Sequence, residues 1–148
     1  RDRALGLITR AEEQGARVAA GGRKPNRPGA FLEPTVLSGV TPDMDIAQQE
    51  VFGPVLSVLS FREDAHAIEI ANGTDYGLVA GVFTADLDRA TLAARQLRAG
   101  QVFVNEWYAG GVETPFGGYG KSSYGREKGR EALWNYVQTK NIAIRLKG

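Results

Sequence analysis

The chain has 148 residues, 43% of them hydrophobic and 24% charged, a composition that suits a globular protein long enough to bury a core. Eighteen Lys and Arg stand against seventeen Asp and Glu, a formal net charge of +1, so no basic excess points to general binding of nucleic acid or of an anionic membrane. There is no cysteine and one histidine, His66; within this chain that excludes disulfides, cysteine-ligated metals and a cysteine nucleophile, and argues against a histidine-built metal site or a Ser/His/Asp triad. No apolar run is long enough to span a bilayer, and no basic start followed by an apolar core suggests an export signal. The first residue is Arg1, within what reads as a helix, so the sequence is expected to be a piece of a longer protein.

In chain order, residues 4–19 read as a helix, with Leu5, Ile8, Ala11, Gly15 and Val18 at helical spacing. Ala16 to Ala20 fits a short strand equally well. GGRKPNRPG (21–29) is a loop, and FLEPTVLSGV (31–40) is strand-like, with Pro34 keeping it to an edge or a bend. Thr41 and Pro42 look like a helix start. Val55 to Phe61 reads as a buried strand after Gly53 and Pro54. Asp64 caps a helix that stops at Asn72 and Gly73, and Leu78 to Thr84 forms another apolar strand. Asp86 caps a helix with Leu87, Ala90, Ala94 and Leu97 on one face and Arg89, Arg95 and Arg98 outside. QVFVN (101–105) is a strand, 106–123 a Gly-rich segment, Tyr124 to Val137 a helix, and NIAIRL (141–146) a last strand. Strands alternating with helices predict an α/β fold, a mostly parallel sheet with crossover helices, in a single unit without repeats.

Two stretches carry residue types that core packing does not require. In the first, Glu50 and Phe52 sit just before the Gly53-Pro54 bend. A carboxylate only accepts hydrogen bonds and could take both hydroxyls of a ribose; a phenyl ring could pack against a flat ring. The plainer alternative makes Glu50 a solvated acid and Phe52 a core residue. In the second, GGVETPFGGYGKSSYGREKG (110–129) is long and aperiodic yet keeps Phe116, Tyr119, Tyr124 and several basic residues. Such segments are functional or disordered more often than not, although its glycines could simply serve tight turns. Gly120, Lys121 and Ser122 look like the end of a phosphate loop, but the earlier glycine is misplaced for one. Trp107 and Tyr108 follow a strand directly, where α/β sheets place ligands.

These residues resemble the C-terminal third of the aldehyde dehydrogenase superfamily. The resemblance rests on five ordered blocks: GxFLEPTVL (29–37), QEVFGPVLSV (49–58), YGLVAGVFTADLDRA (76–90), GQVFVN (100–105) and PFGGYGKSSYGRE (115–127). It implies that Glu50 binds the hydroxyls of a nicotinamide ribose and that Phe52 borders the nicotinamide ring of NAD or NADP. It implies that Asn105, Tyr108, Gly110 and Phe116 line the tunnel for an aldehyde substrate, and that Glu127 is a supporting acid that manages water and protons. Residues 1–137 then correspond to part of the catalytic domain, and 138–148 to a terminal strand through which members form homodimers or homotetramers. The chain departs from the family pattern at Gly120, where a lysine is usual, and at Ser123, where a glycine is common.

The same resemblance implies an enzyme that oxidises an aldehyde to a carboxylic acid through a thioester on a cysteine. That cysteine, the general base and the dinucleotide-binding fold lie outside this chain, so the chain alone is expected to be inactive. A cytoplasmic location is expected, with no metal, nucleic acid or membrane partner. Two alternatives stay open: a parent carrying out acylating or semialdehyde oxidation, which the segment 106–113 should discriminate, and a non-catalytic assembly module built on the last strand.

Overall fold

The computed structural model describes residues 1–108 and 110–146. Where the sequence reads as a single unit, the backbone divides into two compact units, Arg1–Asp75 and Tyr76–Gly148. The architecture is α/β, as expected.

The first unit starts with helix α1 (Asp2–Glu13), which buries Ala4, Leu7, Ile8 and Ala11. That is the i, i+3, i+4, i+7 stripe of an amphipathic helix; Leu5 falls on its flank. The helix is shorter than expected. Gly15 has φ 108°, and the Ala16 N–H reaches back to the Ala11 carbonyl at 2.9 Å, a C-terminal closure that a glycine permits. The strand alternative for the next residues is realised as β1 (Arg17–Ala20).

Strand β2 (Thr35–Ser38) lies between β1 and β3 (Val55–Ser57). It runs antiparallel to β1, with Arg17 opposite Ser38, and parallel to β3, with Thr35 opposite Val55. Two of the five motif blocks therefore become neighbours in one sheet. Leu37, fully buried at 0% exposure, anchors a core with Leu7, Ile8, Val40, Met44 and Ile46. The expected helix start at Thr41 and Pro42 is instead a turn in which the Thr41 hydroxyl donates to the Asp43 carboxylate, and that bond holds the carboxyl below its ordinary range. The one-turn helix α2 (Asp45–Gln48) follows. It is tied to α1 by the Arg10–Asp45 ion pair and by the Gln14 side chain, which accepts from the Asp45 N–H at 3.2 Å. Helix α3 (Asp64–Asn72) closes the unit, with Glu63 rather than Asp64 at its N-cap position.

The second unit is built on β4 (Val79–Val82) and β5 (Gln101–Val104), a parallel pair joined by α4 (Leu87–Gln96). As the sequence predicts, the Asp86 side chain caps α4, accepting from the Arg89 N–H at 2.9 Å. Beyond β5 the chain is irregular, with 3₁₀ turns at Gly120–Ser122 and Glu131–Tyr136. The α-helix expected over 124–137 does not form, because Lys128 and Gly129 take φ 56° and 60°, which no right-handed helix can include. The strand expected over 141–146 makes no ladder with any described segment. Ile142, Ile144 and Leu146 nonetheless keep the period-two spacing of a strand and stay exposed.

Leu37 is the best-packed anchor of the first unit, so Leu37→Ala should lower the stability of the protein by about 2–5 kcal/mol. Denaturant unfolding followed by far-UV circular dichroism measures this; a loss well under 1 kcal/mol would contradict the packing described here.

Candidate functional site

Glu50 and Phe52 stand on the turn between α2 and β3. They line an open cleft of about 440 Å³ together with Gln49, Val51, Gly53 and Val55. Phe52 is not a core residue: it is 90% exposed. Its φ is 52°, a left-handed conformation that costs a bulky side chain about 1–2 kcal/mol. The conformation throws the ring outward while the chain turns back into the sheet. Glu50 is also exposed, and its carboxylate has no hydrogen-bond partner among the described residues, leaving its oxygens open to hydroxyl donors.

Several contacts hold this turn. The Thr35 N–H donates to the Pro54 carbonyl at 2.8 Å, and the Val55 N–H to the Gly53 carbonyl at 2.8 Å. Thr35 is a buried polar residue at 2% exposure. Its hydroxyl is satisfied twice, donating to the Glu33 carbonyl at 2.8 Å and accepting from the Gly22 N–H at 2.9 Å. On the other side, the Arg3 guanidinium donates to the carbonyls of Glu50 and Val51 at 2.6 and 3.1 Å.

In the second unit, Asn105 ends β5 with φ 55°. Its amide brackets the backbone of Thr84: the Thr84 N–H donates to Oδ1, and Nδ2 donates to the Thr84 carbonyl, both at 2.8 Å. The side chain therefore locks the ends of β4 and β5 together. Tyr108, also left-handed at φ 66°, is 74% exposed. It stacks on Phe103 at 6.3 Å and meets Trp107 edge to face at 6.3 Å. Trp107 lies over Gly81 so closely that a Cβ there would come within 2.7 Å of the indole.

The segment 110–129 is bound to this frame along its length. Phe116 and Glu127 face each other across two backbone hydrogen bonds of 2.7 Å each, and the Lys128 ammonium lies 5.7 Å from the Phe116 ring. Glu127 is exposed and Phe116 half-buried. At Gly100 an added Cβ would lie 1.6 Å from the Gly117 carbonyl oxygen, so two backbones touch there. The Tyr119 N–H donates to the Gly77 carbonyl at 2.9 Å, and the Gly77 N–H to the Ser122 hydroxyl at 3.0 Å. Ser122 thus serves the fold rather than a phosphate. Ser123, one of the departures from the family pattern, accepts from the Gly125 N–H at 3.0 Å through its own hydroxyl. Gly110 has φ 97° and sits against the Thr114 side chain.

The structure thus brings Glu50 together with Phe52, and Phe116 together with Glu127; Asn105 and Tyr108 leave β5 beside one another. Arg3, Thr35, Gly81 and Thr84 hold these residues, and sequence reasoning did not single them out. Among the described residues, no group of three or more His, Asp or Glu side chains could hold a metal ion, and no helix is long and apolar enough to cross a membrane.

Comparison with known proteins accounts for the coexistence of these blocks. The profile of the aldehyde dehydrogenase family matches residues 1–142, and the chain belongs to that family. It is 46% identical over 145 residues to an aldehyde dehydrogenase of Alternaria alternata, covering 98% of this chain and 29% of that protein. It is 45% identical over 143 residues to a betaine aldehyde dehydrogenase of Cereibacter sphaeroides, covering 97% of this chain and 30% of that protein. A solved structure of a mutant P. syringae AldA indole-3-acetaldehyde dehydrogenase, in complex with NAD+ and IAA, superposes with a TM-score of 0.92 at 46% identity, over 98% of this chain and 30% of that one. A betaine aldehyde dehydrogenase from Staphylococcus aureus in complex with NAD+ superposes with a TM-score of 0.90 at 38% identity, over 95% of this chain and 29% of that one. The chain therefore spans about 30% of the length of the relatives it matches.

Asn105 separates two contributions that substitution can resolve. Asn105→Gly removes the bracket on Thr84 and keeps the left-handed backbone accessible, whereas Asn105→Ala loses both. The alanine variant should be the less stable of the two by about 1 kcal/mol, measured by thermal denaturation; equal stability would show that backbone conformation contributes nothing here. Gly81→Ala should displace the Trp107 indole and change the near-UV circular dichroism of the aromatic cluster. An unchanged near-UV spectrum would contradict the Gly81–Trp107 contact.

Proposed function

We propose that this chain is the C-terminal portion of an NAD(P)-dependent aldehyde dehydrogenase that oxidises an aldehyde to a carboxylic acid through a thioester on a cysteine outside the chain. The observation that carries the proposal is the turn at Glu50 and Phe52, with an outward ring in a strained backbone and an acceptor-only carboxylate two residues away on an open cleft. This pair fits a ribose bearing a flat heteroaromatic ring. Glu50 would accept from the two ribose hydroxyls, and Phe52 would border the nicotinamide. When bound, NAD or NADP supplies the hydride acceptor for the oxidation. The chain's own residues orient that group and shape the approach of the substrate.

In this reading Asn105, Tyr108, Gly110 and Phe116 belong to the substrate tunnel. Asn105 acts through the backbone it fixes, and Tyr108 presents an aromatic wall stacked on Phe103. Glu127, held opposite Phe116, supports water and proton handling. Residues 138–146 serve as an assembly strand of a homodimer or homotetramer, because Ile142, Ile144 and Leu146 form an exposed alternating row with no ladder of its own. A cytoplasmic location belongs to the same proposal and is in line with a mouse relative named aldehyde dehydrogenase, cytosolic 1, at 44% identity.

The test is aldehyde-dependent reduction of NAD+ and of NADP+ by the full-length parent, followed by absorbance. Glu50→Gln should raise the KM for cofactor about tenfold, the scale of one weakened hydrogen bond to a charged acceptor, and leave the aldehyde KM nearly unchanged. A parent that turns over no aldehyde with either cofactor, and binds neither, would overturn the proposal.

A further inference from the structure

We infer that Arg3, on the first turn of α1, is a positioning residue for the cofactor turn, holding Phe52 in its left-handed conformation without touching the ligand; the inference rests on the assignment of Glu50 and Phe52 to the cofactor. One guanidinium nitrogen, Nη1, donates to two successive carbonyls, Glu50 at 2.6 Å and Val51 at 3.1 Å. The Val51 carbonyl belongs to the peptide plane from which the φ of Phe52 is measured, so fixing that carbonyl fixes the reference for the 52° angle. Fixing the Glu50 carbonyl as well leaves Val51 little freedom to absorb a rotation, and hydrogen bonds from a charged donor are the stronger kind.

The neighbouring residue stands on the other side of Phe52. Ala4 is buried at 4% exposure, and its methyl group lies 3.6 Å from where a Cβ of Gly53 would stand. The first turn of α1 thus holds the turn by a charge before Phe52 and lies close to Gly53 after it. Without these contacts the Phe52 backbone can relax to the right-handed region that a phenylalanine prefers, and the ring leaves its outward position. Arg3 is exposed and, among the described residues, its side chain bonds only to backbone, so its replacement leaves the core intact. A lysine ammonium can keep the charge and reach one carbonyl, but it lacks the rigid planar fork that engages two.

The experiment uses the full-length parent with Arg3→Met, Arg3→Lys, Phe52→Ala and the Arg3→Met/Phe52→Ala double variant. Two quantities are measured: the NAD+ dissociation constant by calorimetry, and amide hydrogen exchange of the 49–55 peptide in the cofactor-free enzyme. Arg3→Met should weaken NAD+ binding by about tenfold, as the loss of one charge-assisted hydrogen bond does, and should speed exchange locally. Arg3→Lys should recover part of both losses. The double variant should bind no more weakly than Phe52→Ala alone, because Arg3 acts through the Phe52 ring. The aldehyde KM should not move. Unchanged NAD+ affinity in Arg3→Met would overturn the inference, as would losses that add fully to that of Phe52→Ala, or faster exchange spread along all of α1. A wild-type parent that does not bind NAD+ would overturn the assignment of the turn, and this inference with it. A wild-type parent that binds while Arg3→Met matches it would overturn this inference alone.

Discussion

The first unit depends on the seam between β2 and β3, where the Thr35 N–H meets the Pro54 carbonyl. A proline has no N–H to give and its φ is fixed, so Pro54 can join the sheet only through its carbonyl. Thr35 takes that carbonyl with its backbone and uses its buried hydroxyl to fasten the far side of β2 to Glu33 and Gly22. With the register set at Thr35 opposite Val55, Phe52 is left just outside the sheet, where the chain must reverse within a few residues. The reversal at Phe52 follows from this constraint, and the Arg3 bonds to the Glu50 and Val51 carbonyls reach the residues just before its left-handed backbone.

The second unit solves a similar problem with different groups. The β4–β5 ladder closes with the Asn105 N–H bonded to the Val82 carbonyl at 2.8 Å, and beyond it a side chain carries the connection. Asn105 crosses with an amide, giving and taking one bond with the backbone of a single residue, Thr84. Asparagine suits the place because its short polar side chain tolerates the left-handed region better than most. Three residues before Thr84, the bare face of Gly81 accepts the Trp107 indole. In both units, a strand end that carries exposed aromatic residues is fixed by polar bonds to backbone rather than by burial of the aromatics themselves.

Much of this was legible in the sequence, for identifiable reasons. The β2, β3, β4 and β5 segments are apolar runs bounded by Gly, Pro or charged residues, and each became a strand, although shorter than its run. The Asp86 cap was readable because capping chemistry is local, whereas the expected run through Leu97 to a stop at Gly100 is too long, since the helix ends at Gln96 with Leu97 already extended. The Tyr124–Val137 stretch misled because its composition allows a helix, while the backbone at Lys128 and Gly129 is set by the pairing of Phe116 with Glu127 and by the bond from the Gly129 N–H to the Val112 carbonyl. Phe52 could be named as a candidate, yet a pattern of apolar residues gave no means of telling an outward ring from a core one. Arg3 left no trace at all: its carbonyl partners lie 47 and 48 residues away, and any sequence can offer a carbonyl.

The anchoring of the Gly-rich region has a consequence for how such a chain diversifies. Before residue 106 the backbone is pinned by Asn105 to Thr84; after residue 115 it is pinned by Phe116 to Glu127 and by the contact of Gly117 with Gly100. A segment with two fixed ends behaves as an exchangeable cassette. Its length and side chains can vary at an entropic cost that grows only slowly with length, while the frame on either side keeps its geometry. Change in the residues between the two anchors is therefore coupled to the fold only at single contacts, such as the Val112 carbonyl that accepts from the Gly129 N–H and the Trp107 indole over Gly81.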